Sequence, residues 1–335
     1  MKNDRGPRAR ILTLALAFAA ALTGAELYGR AGPSRQIVNT PELRVRDDDE
    51  LGYRNPIGMR IVSKEYSGKT ELYDVVYSFD PMGWRLTPPA PAAAPAVLFF
   101  GDSVEFGMGV NDAETIPAVF QSESRGRYRA VNLAVSGWGP HQMLRTLQLG
   151  LERSAAAPNR PAAAFYLALP SHVLYAAGAI LWDQHGPRYD IDGSGTLRYE
   201  GPFHGRLWAR CARILSYSSV LGSLWYDRHR REPGGVRERR DDERLVSIVA
   251  ESRRLFKERY GGELYVVLDS TDDFPEQLLC SNGTVCIRAK SLGVPGHEEP
   301  GYFISDVDHH PNARWQRALG TALASWALAR DAHPR

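Results

Sequence analysis

The sequence predicts an α/β domain built on a parallel sheet with helices on both faces. Two short, continuously apolar runs, Val97-Leu98-Phe99-Phe100 and Ala162 to Leu169 (AAAFYLAL), read as strands buried on both sides. Segments of helical periodicity alternate with such runs along the chain, the pattern of βαβ units. The first run ends on Gly101-Asp102-Ser103, a turn at the carboxyl edge of the sheet, where open α/β folds build their sites.

Taken in order, residues 1–30 form a targeting segment, because Lys2, Arg5, Arg8 and Arg10 precede the apolar run Ile11 to Ala25. A spanning helix needs about 17–25 residues, and the run reaches that length only when Glu26 to Gly29 are included. A signal peptide cut after Ala25 and an uncleaved anchor both stay open. Either leaves the basic end inside and translocates the rest, so the expected location is the periplasmic side of the inner membrane or outside the cell. Residues 31–86 carry short β-like runs at Met59 to Val62 and Tyr73 to Phe79 and read as a small β-rich appendage. Residues 87–96 (TPPAPAAAPA) hold too many prolines for a helix or an inner strand and read as a linker.

The main domain spans residues 97–335. After the first strand come a helix over Glu114 to Ser124, a strand over Tyr128 to Asn132, a helix over His141 to Arg153 and the strand Ala162 to Leu169. Residues 183–240 form an insertion that opens on a hairpin around Gly193 and Gly195 and continues as a helix over Leu207 to Tyr226. Such an insertion often caps a site. An amphipathic helix over 241–259, the strand Glu263 to Leu268 and a last helix over Ala313 to Arg330 complete the order.

Several functions are excluded by composition. The net charge is only +2, and the basic stretch Arg228 to Arg240 lacks aromatic context, so it reads as a solvated loop and no nucleic-acid partner is expected. Neither a Walker nor a Rossmann glycine pattern is present, and the Gly-x-Ser-x-Gly elbow of ordinary lipases is missing. Cys280 and Cys286 flank SNGTV, and a bond between them would close a hairpin in an oxidising compartment, leaving Cys211 alone. Their spacing does not fit zinc, and Asp306, Asp308, His309 and His310 share too short a loop to surround an ion, so neither a metal nor a cofactor is expected.

A serine hydroxyl is a weak nucleophile until a base takes its proton. The stretch Ser305-Asp-Val-Asp-His-His-Pro-Asn312 supplies one: Asp308 and His310 can lie on one loop, the carboxylate fixing the imidazole, with Asp306 and His309 as the alternative pair. Asn312 is placed to cap the last helix. His141, His172 and His185 stand alone in sequence; His172, just past the third strand, is an additional candidate.

On these residues the chain resembles the SGNH, or GDSL, hydrolases over roughly residues 97 to 330. The resemblance rests on Gly101-Asp102-Ser103 with Phe106-Gly107, on Val131-Asn132 through Gly137, and on Asp308 and His310 before Pro311-Asn312. It implies a flavodoxin-like parallel sheet, Ser103 as nucleophile, His310 as base, Asp308 as orienting acid, and the N–H groups of Ser103 and Gly137 as oxyanion donors. Two departures stand out. Where the family carries Gly-x-Asn-Asp, this chain has Ala168-Leu-Pro-Ser171-His172, so a side-chain amide donor is missing and the Ser171 hydroxyl is its substitute. Such a donor contributes about 2.7–4 kcal/mol to the transition state. The family's commoner acid–base spacing also matches Asp306 and His309, whereas its histidine before proline matches His310.

LGYR at 51–54 and MGWR at 82–85 look like the membrane-tethered members that accompany envelope polysaccharides. That likeness implies a serine esterase acting on an acyl, above all acetyl, ester of an envelope or secreted glycan, with inner-membrane contact through the N-terminal segment. Two alternatives remain. One is an O-acetyltransferase working with a membrane acyltransferase partner; the other, motivated by the missing Asn, is a catalytically silent glycan-binding or assembly protein on the same fold.

Overall fold

The computed structural model describes residues 7–29, 35–43, 45–91, 93–216, 218, 220–222, 224, 239–269, 275–281 and 283–332. Helix α1 (Pro7–Gly29) leads into the appendage strands β1 (Arg35–Thr40), β2 (Arg46–Asp48), β3 (Gly52–Arg54), β4 (Arg60–Ser67) and β5 (Thr70–Ser78). The main domain follows as β6 (Ala96–Phe100), α2 (Ser103–Phe106), α3 (Ile116–Glu123), β7 (Arg129–Asn132), α4 (Pro140–Leu149), α5 (Glu152–Ala156), β8 (Pro161–Ala168) and α6 (His172–Ala176). The insertion contributes the hairpin β9 (Pro187–Ile191) and β10 (Leu197–Pro202) and helix α7 (Arg206–Ser216). Most of the predicted basic loop, and the end of the predicted helix from Leu207 to Tyr226, lie outside the described residues. The chain closes with α8 (Arg239–Tyr260), β11 (Glu263–Leu268), α9 (Glu276–Ser281), β12 (Val285–Arg288), β13 (Phe303–Ser305), β14 (Asp308–Pro311) and α10 (Ala313–Ala332).

Strands β12, β11, β8, β6 and β7 lie side by side in that order, all parallel. Chain order along the sheet therefore reverses between β6 and β8. At such a switch point the two flanking connections leave on opposite faces, and a crevice opens at the carboxyl ends of the strands. Alternate residues of β6 feed two cores. Leu98 and Phe100 join Tyr166, Val266, Val249 and Phe256 on one face, while Val97 and Phe99 join Phe165, Phe120, Trp315 and Leu319 on the other. This is the α/β sheet with helices on both faces that the apolar runs predict.

The appendage is built into the domain. Strands β1, β4 and β5 form an antiparallel sheet whose Ile61, Tyr73, Val75, Tyr77 and Phe79 pack with Phe106 and Ala134 of the main domain. Arg85, 2% exposed, donates to the carbonyls of Phe106, Gly107 and Val110 at 2.6 Å each and pairs with Asp112 at 3.1 Å. The predicted linker is also anchored: Thr87 donates to the Ala130 carbonyl at 2.8 Å, and Gln121 to that of Pro88 at 2.7 Å.

Cys280 and Cys286 are bonded, yet they do not close a hairpin. Residues 276–281 are helical and 285–288 pair in parallel with β11, so the bond ties α9 to the sheet's edge strand. Cys211 is free and exposed. In α1 the side chains of Leu14, Leu16 and Phe18 are exposed, and among the described residues no helix is long and apolar enough to cross a membrane.

Candidate active site

Packing dictates the turn after β6. A Cβ on Gly101 would fall 2.5 Å from that of Glu105, so only glycine fits where the strand enters α2. Asp102 caps α2, its Oδ1 accepting the Val104 N–H at 2.9 Å, and Gly107 ends the helix after one turn at φ 85°. Gln316 of α10 pins this turn, donating to the Val104 carbonyl and accepting from the Ile116 N–H, both at 2.9 Å. Ser103 is thereby fixed at the carboxyl end of β6.

The acid and base arrive on a strand, where a loop was expected. Asp308 and His310 are two apart on β14, and residues two apart on a strand share a face. Asp308 Oδ1 accepts the His310 backbone N–H at 3.1 Å and lies 2.5 Å from His310 Nδ1. His310 Nε2 lies 3.0 Å from Ser103 Oγ. With a carboxylate at Nδ1, the ring's proton sits there and Nε2 is left to accept from the serine. His309, on the opposite face, stacks on Phe303 at 5.2 Å, and its Nε2 meets the Asp306 carbonyl at 3.3 Å. The structure therefore brings Ser103 to His310 and Asp308, and places Asp306 and His309 elsewhere. Asn312 caps α10, its Oδ1 accepting from the N–H groups of Arg314 and Trp315 at 3.0 and 3.2 Å.

Electrostatics separates three buried carboxyls. Burial pushes Asp308 up, but hydrogen bonds from His310 and Glu65 outweigh it and hold it well below the usual carboxylate range. Asp102 is likewise held low: burial is outweighed by His172, by the Val104 N–H and by His310. Glu105 goes the other way, raised well above its ordinary value by burial and then by the charge of Asp102.

His172 supports the turn, and among the described residues its polar partners do not include the serine. It is fully buried, and its Nδ1 accepts from the Leu169 N–H at 3.3 Å and the Tyr166 hydroxyl at 2.6 Å. Its proton is therefore on Nε2, which faces Asp102 Oδ2 at 3.3 Å. Asn132 ties β7 to α2, donating to the carbonyls of Glu105 and Phe106 at 3.3 and 3.4 Å. Ser171 sits half-buried at the start of α6, just past β8, without a side-chain cap bond. His141 is buried against Asp183 at 2.8 Å, under the insertion.

Two residues unmarked as site residues in the sequence shape the Gly137 turn. Gly137 has φ +80°, and a Cβ there would lie 2.6 Å from Tyr53 Oη and 2.7 Å from Trp182 Nε1. Tyr53 donates to the Ser136 carbonyl at 2.9 Å and Trp182 to that of Gly137 at 3.3 Å, so the appendage and the residue that leads into the insertion hold the turn from two sides. Among the described residues the N–H groups of Ser103 and Gly137 are engaged in no hydrogen bond. Gly137→Ala keeps the N–H but forces a Cβ against Tyr53 Oη and Trp182 Nε1 at a positive φ, so the turn must shift; turnover is expected to fall by about 10²- to 10³-fold, the size of effect of a displaced hydrogen-bond donor in such a site, with the far-ultraviolet circular dichroism unchanged.

At the end of β11, Asp269 hydrogen-bonds His297, which is raised above its ordinary value because this bond and charge outweigh burial. A raised folded-state value stabilises below the unfolded value of about 6.5 and is lost as pH rises through the folded one. Urea midpoints should accordingly fall as pH rises through this window, and the slope should disappear in Asp269→Asn.

No protein-family model matches the sequence, and no curated protein does. The fold matches what the SGNH resemblance implies. Solved structures similar to the chain include a member of the lipolytic G-D-S-L family from Veillonella parvula, 12% identical over 69% of this chain and 97% of that one, TM-score 0.38. The psychrotrophic esterase EstA from Pseudoalteromonas sp. is 11% identical over 71% and 99%, TM-score 0.38. A carbohydrate acetylesterase from Sinorhizobium meliloti is 11% identical over 70% and 99%, TM-score 0.36. At these scores such likenesses add nothing to what strand order and side-chain geometry already carry. Among the described residues no three His, Cys, Asp or Glu side chains are grouped to hold a metal.

Proposed function

We propose that the chain is a serine ester hydrolase of the SGNH type that works through an acyl-enzyme. The observation that carries this reading is the hydrogen-bonded line from Ser103 Oγ through His310 to Asp308, at 3.0 and 2.5 Å. Ser103 Oγ attacks the ester carbonyl carbon as its proton passes to His310 Nε2, and Asp308 stabilises the imidazolium. The N–H groups of Ser103 and Gly137 receive the oxyanion. Collapse expels the alcohol, which takes the proton from His310; water then repeats the sequence and frees the acid. Ser171, at the start of α6, takes the place of the missing amide donor.

The substrate proposed is an acyl, above all acetyl, ester of an envelope or secreted glycan, met on the exported side of the inner membrane. Its support is the basic-then-apolar N-terminal segment, the Cys280–Cys286 bond, which suits an oxidising compartment, and the likeness of LGYR and MGWR to tethered family members. With a sugar hydroxyl in place of water, the same acyl-enzyme gives a transferase.

Hydrolysis of p-nitrophenyl acetate tests the reading. The full chain should turn the ester over while Ser103→Ala stays at the buffer background. Equal rates for the two proteins across pH 5 to 9 would overturn it.

A further inference from the structure

We propose that Tyr53 and Trp182 are positioning residues that aim the second oxyanion donor, the N–H of Gly137, and that the motifs LGYR and MGWR form the platform for the first of them. The inference rests on the reading of Gly137 as a donor and extends it. The Ser136 carbonyl and the Gly137 N–H belong to one trans peptide, so they point in opposite directions. Whatever holds the carbonyl therefore sets the direction of the N–H. The Tyr53 hydroxyl holds it, donating to the Ser136 oxygen at 2.9 Å across 83 residues of sequence. Burial, and next the charge of Asp183, push this hydroxyl well above its ordinary value, so it remains a donor.

The two motifs pack as one unit behind that bond. The Tyr53 backbone carbonyl accepts the Trp138 indole N–H at 3.0 Å, so one residue of LGYR grips the turn on both sides of Gly137. Trp84 of MGWR meets Trp138 edge to face at 6.1 Å. Arg54 lies over the Trp84 ring at 4.8 Å and donates to the Met82 carbonyl at 2.9 Å, which ties one motif to the other. Tyr53, Arg54, Trp84 and Trp138 are all less than a tenth exposed.

The following peptide is pinned by a second element. Trp182 donates to the Gly137 carbonyl at 3.3 Å. Its neighbour Asp183 is 1% exposed, and its Oδ2 accepts from the Gln142 amide at 2.6 Å and meets His141 Nε2 at 2.8 Å. The Gly139 N–H needs an acceptor, which orients the Gln142 amide: its Oε1 takes that bond at 2.8 Å and leaves Nε2 for Asp183. A circuit thus runs from Gly137 through Trp182, Asp183 and Gln142 back to Gly139. Both peptides that meet at the Gly137 Cα are held, and turning the donor requires breaking one of these bonds.

The consequence is catalytic. A donor fixed before charge develops costs no reorganisation in the transition state. Neither Tyr53 nor Trp182 has to touch the ester for its loss to slow the reaction, and the same donor serves formation and breakdown of the acyl-enzyme. Loosening it should slow both steps together, which lowers kcat and leaves KM in place.

The test is hydrolysis of p-nitrophenyl acetate by the full chain as wild type, Tyr53→Phe and Trp182→Phe, with kcat expressed per serine titrated to completion by a fluorophosphonate. Tyr53→Phe deletes a single oxygen atom and should lower kcat by about tenfold or more, with KM within about twofold of wild type. Trp182→Phe, which keeps a ring but loses the indole N–H, should lower kcat by about threefold or more, again at constant KM. A merely structural role would lower the urea midpoint and the titratable fraction while leaving kcat per titrated serine within about twofold, and that result would overturn the inference alone. A rise in KM at constant kcat would overturn it as well, because it would place Tyr53 in ground-state binding. If Tyr53→Phe fails to fold, Trp182→Phe decides. Wild-type turnover no higher than that of Ser103→Ala would overturn the ester-hydrolase reading itself, and this inference with it.

Discussion

Ser103→Ala and His310→Ala should each lower ester turnover by about 10⁴- to 10⁶-fold, and the double replacement should lower it no further. The two residues act on one proton. Once Oγ is gone there is nothing for His310 to deprotonate, and once Nε2 is gone the hydroxyl, 3.0 Å away in the intact site, keeps its proton. Asp308→Asn should cost about 10⁴-fold, because an amide at 2.5 Å from Nδ1 no longer selects the tautomer that leaves Nε2 free. His309→Ala should stay within about twofold of wild type, since that ring only stacks on Phe303. Steady-state kinetics with p-nitrophenyl acetate reads all five variants.

Arg85→Met should lower folding stability by about 3–5 kcal/mol, the usual cost of removing one member of a buried charged network. The methionine approximates the volume but donates nothing. Three carbonyls, of Phe106, Gly107 and Val110, lose a donor at 2.6 Å in the interior, and Asp112 loses its partner at 3.1 Å. Because Phe106 and Gly107 close the helical turn that begins at Ser103, turnover should fall along with stability. Urea unfolding measures the first effect, as a lower midpoint at an unchanged slope.

The parts legible in sequence were those with a local signature. Val97 to Phe100 and Ala162 to Leu169 stand out because both faces of each strand are covered, and β6 and β8 fall within a residue of them. Gly-Asp-Ser is legible because a strand, a tight turn and a helix start are all encoded within a few residues. Strand β12 escaped notice: it is a four-residue edge strand, only Ile287 of it is buried, and two cysteines drew the reading toward a hairpin. Asp308 and His310 were paired by proximity, but their shared direction is a property of β14 that the loop reading did not contain.

What could not be read is what joins distant segments. In β4 the inward positions are Ile61, Ser63 and Glu65, so two polar residues hide a buried face. Nothing near Tyr53 in sequence announces Gly137. Nothing around Arg85 in sequence shows that the carbonyls of Phe106, Gly107 and Val110 converge on it. Each of these contacts crosses from the appendage to the main domain, so the appendage looks dispensable in sequence while supplying the walls of the site.

The central claim is that Ser103 is a nucleophile activated by His310. Its most direct test is to treat the full chain with a fluorophosphonate and locate the adduct by peptide mass spectrometry. Wild type and His309→Ala should carry the adduct on Ser103, while Ser103→Ala and His310→Ala carry none. An adduct on any other residue, or labelling that survives His310→Ala and disappears in His309→Ala, would contradict the account.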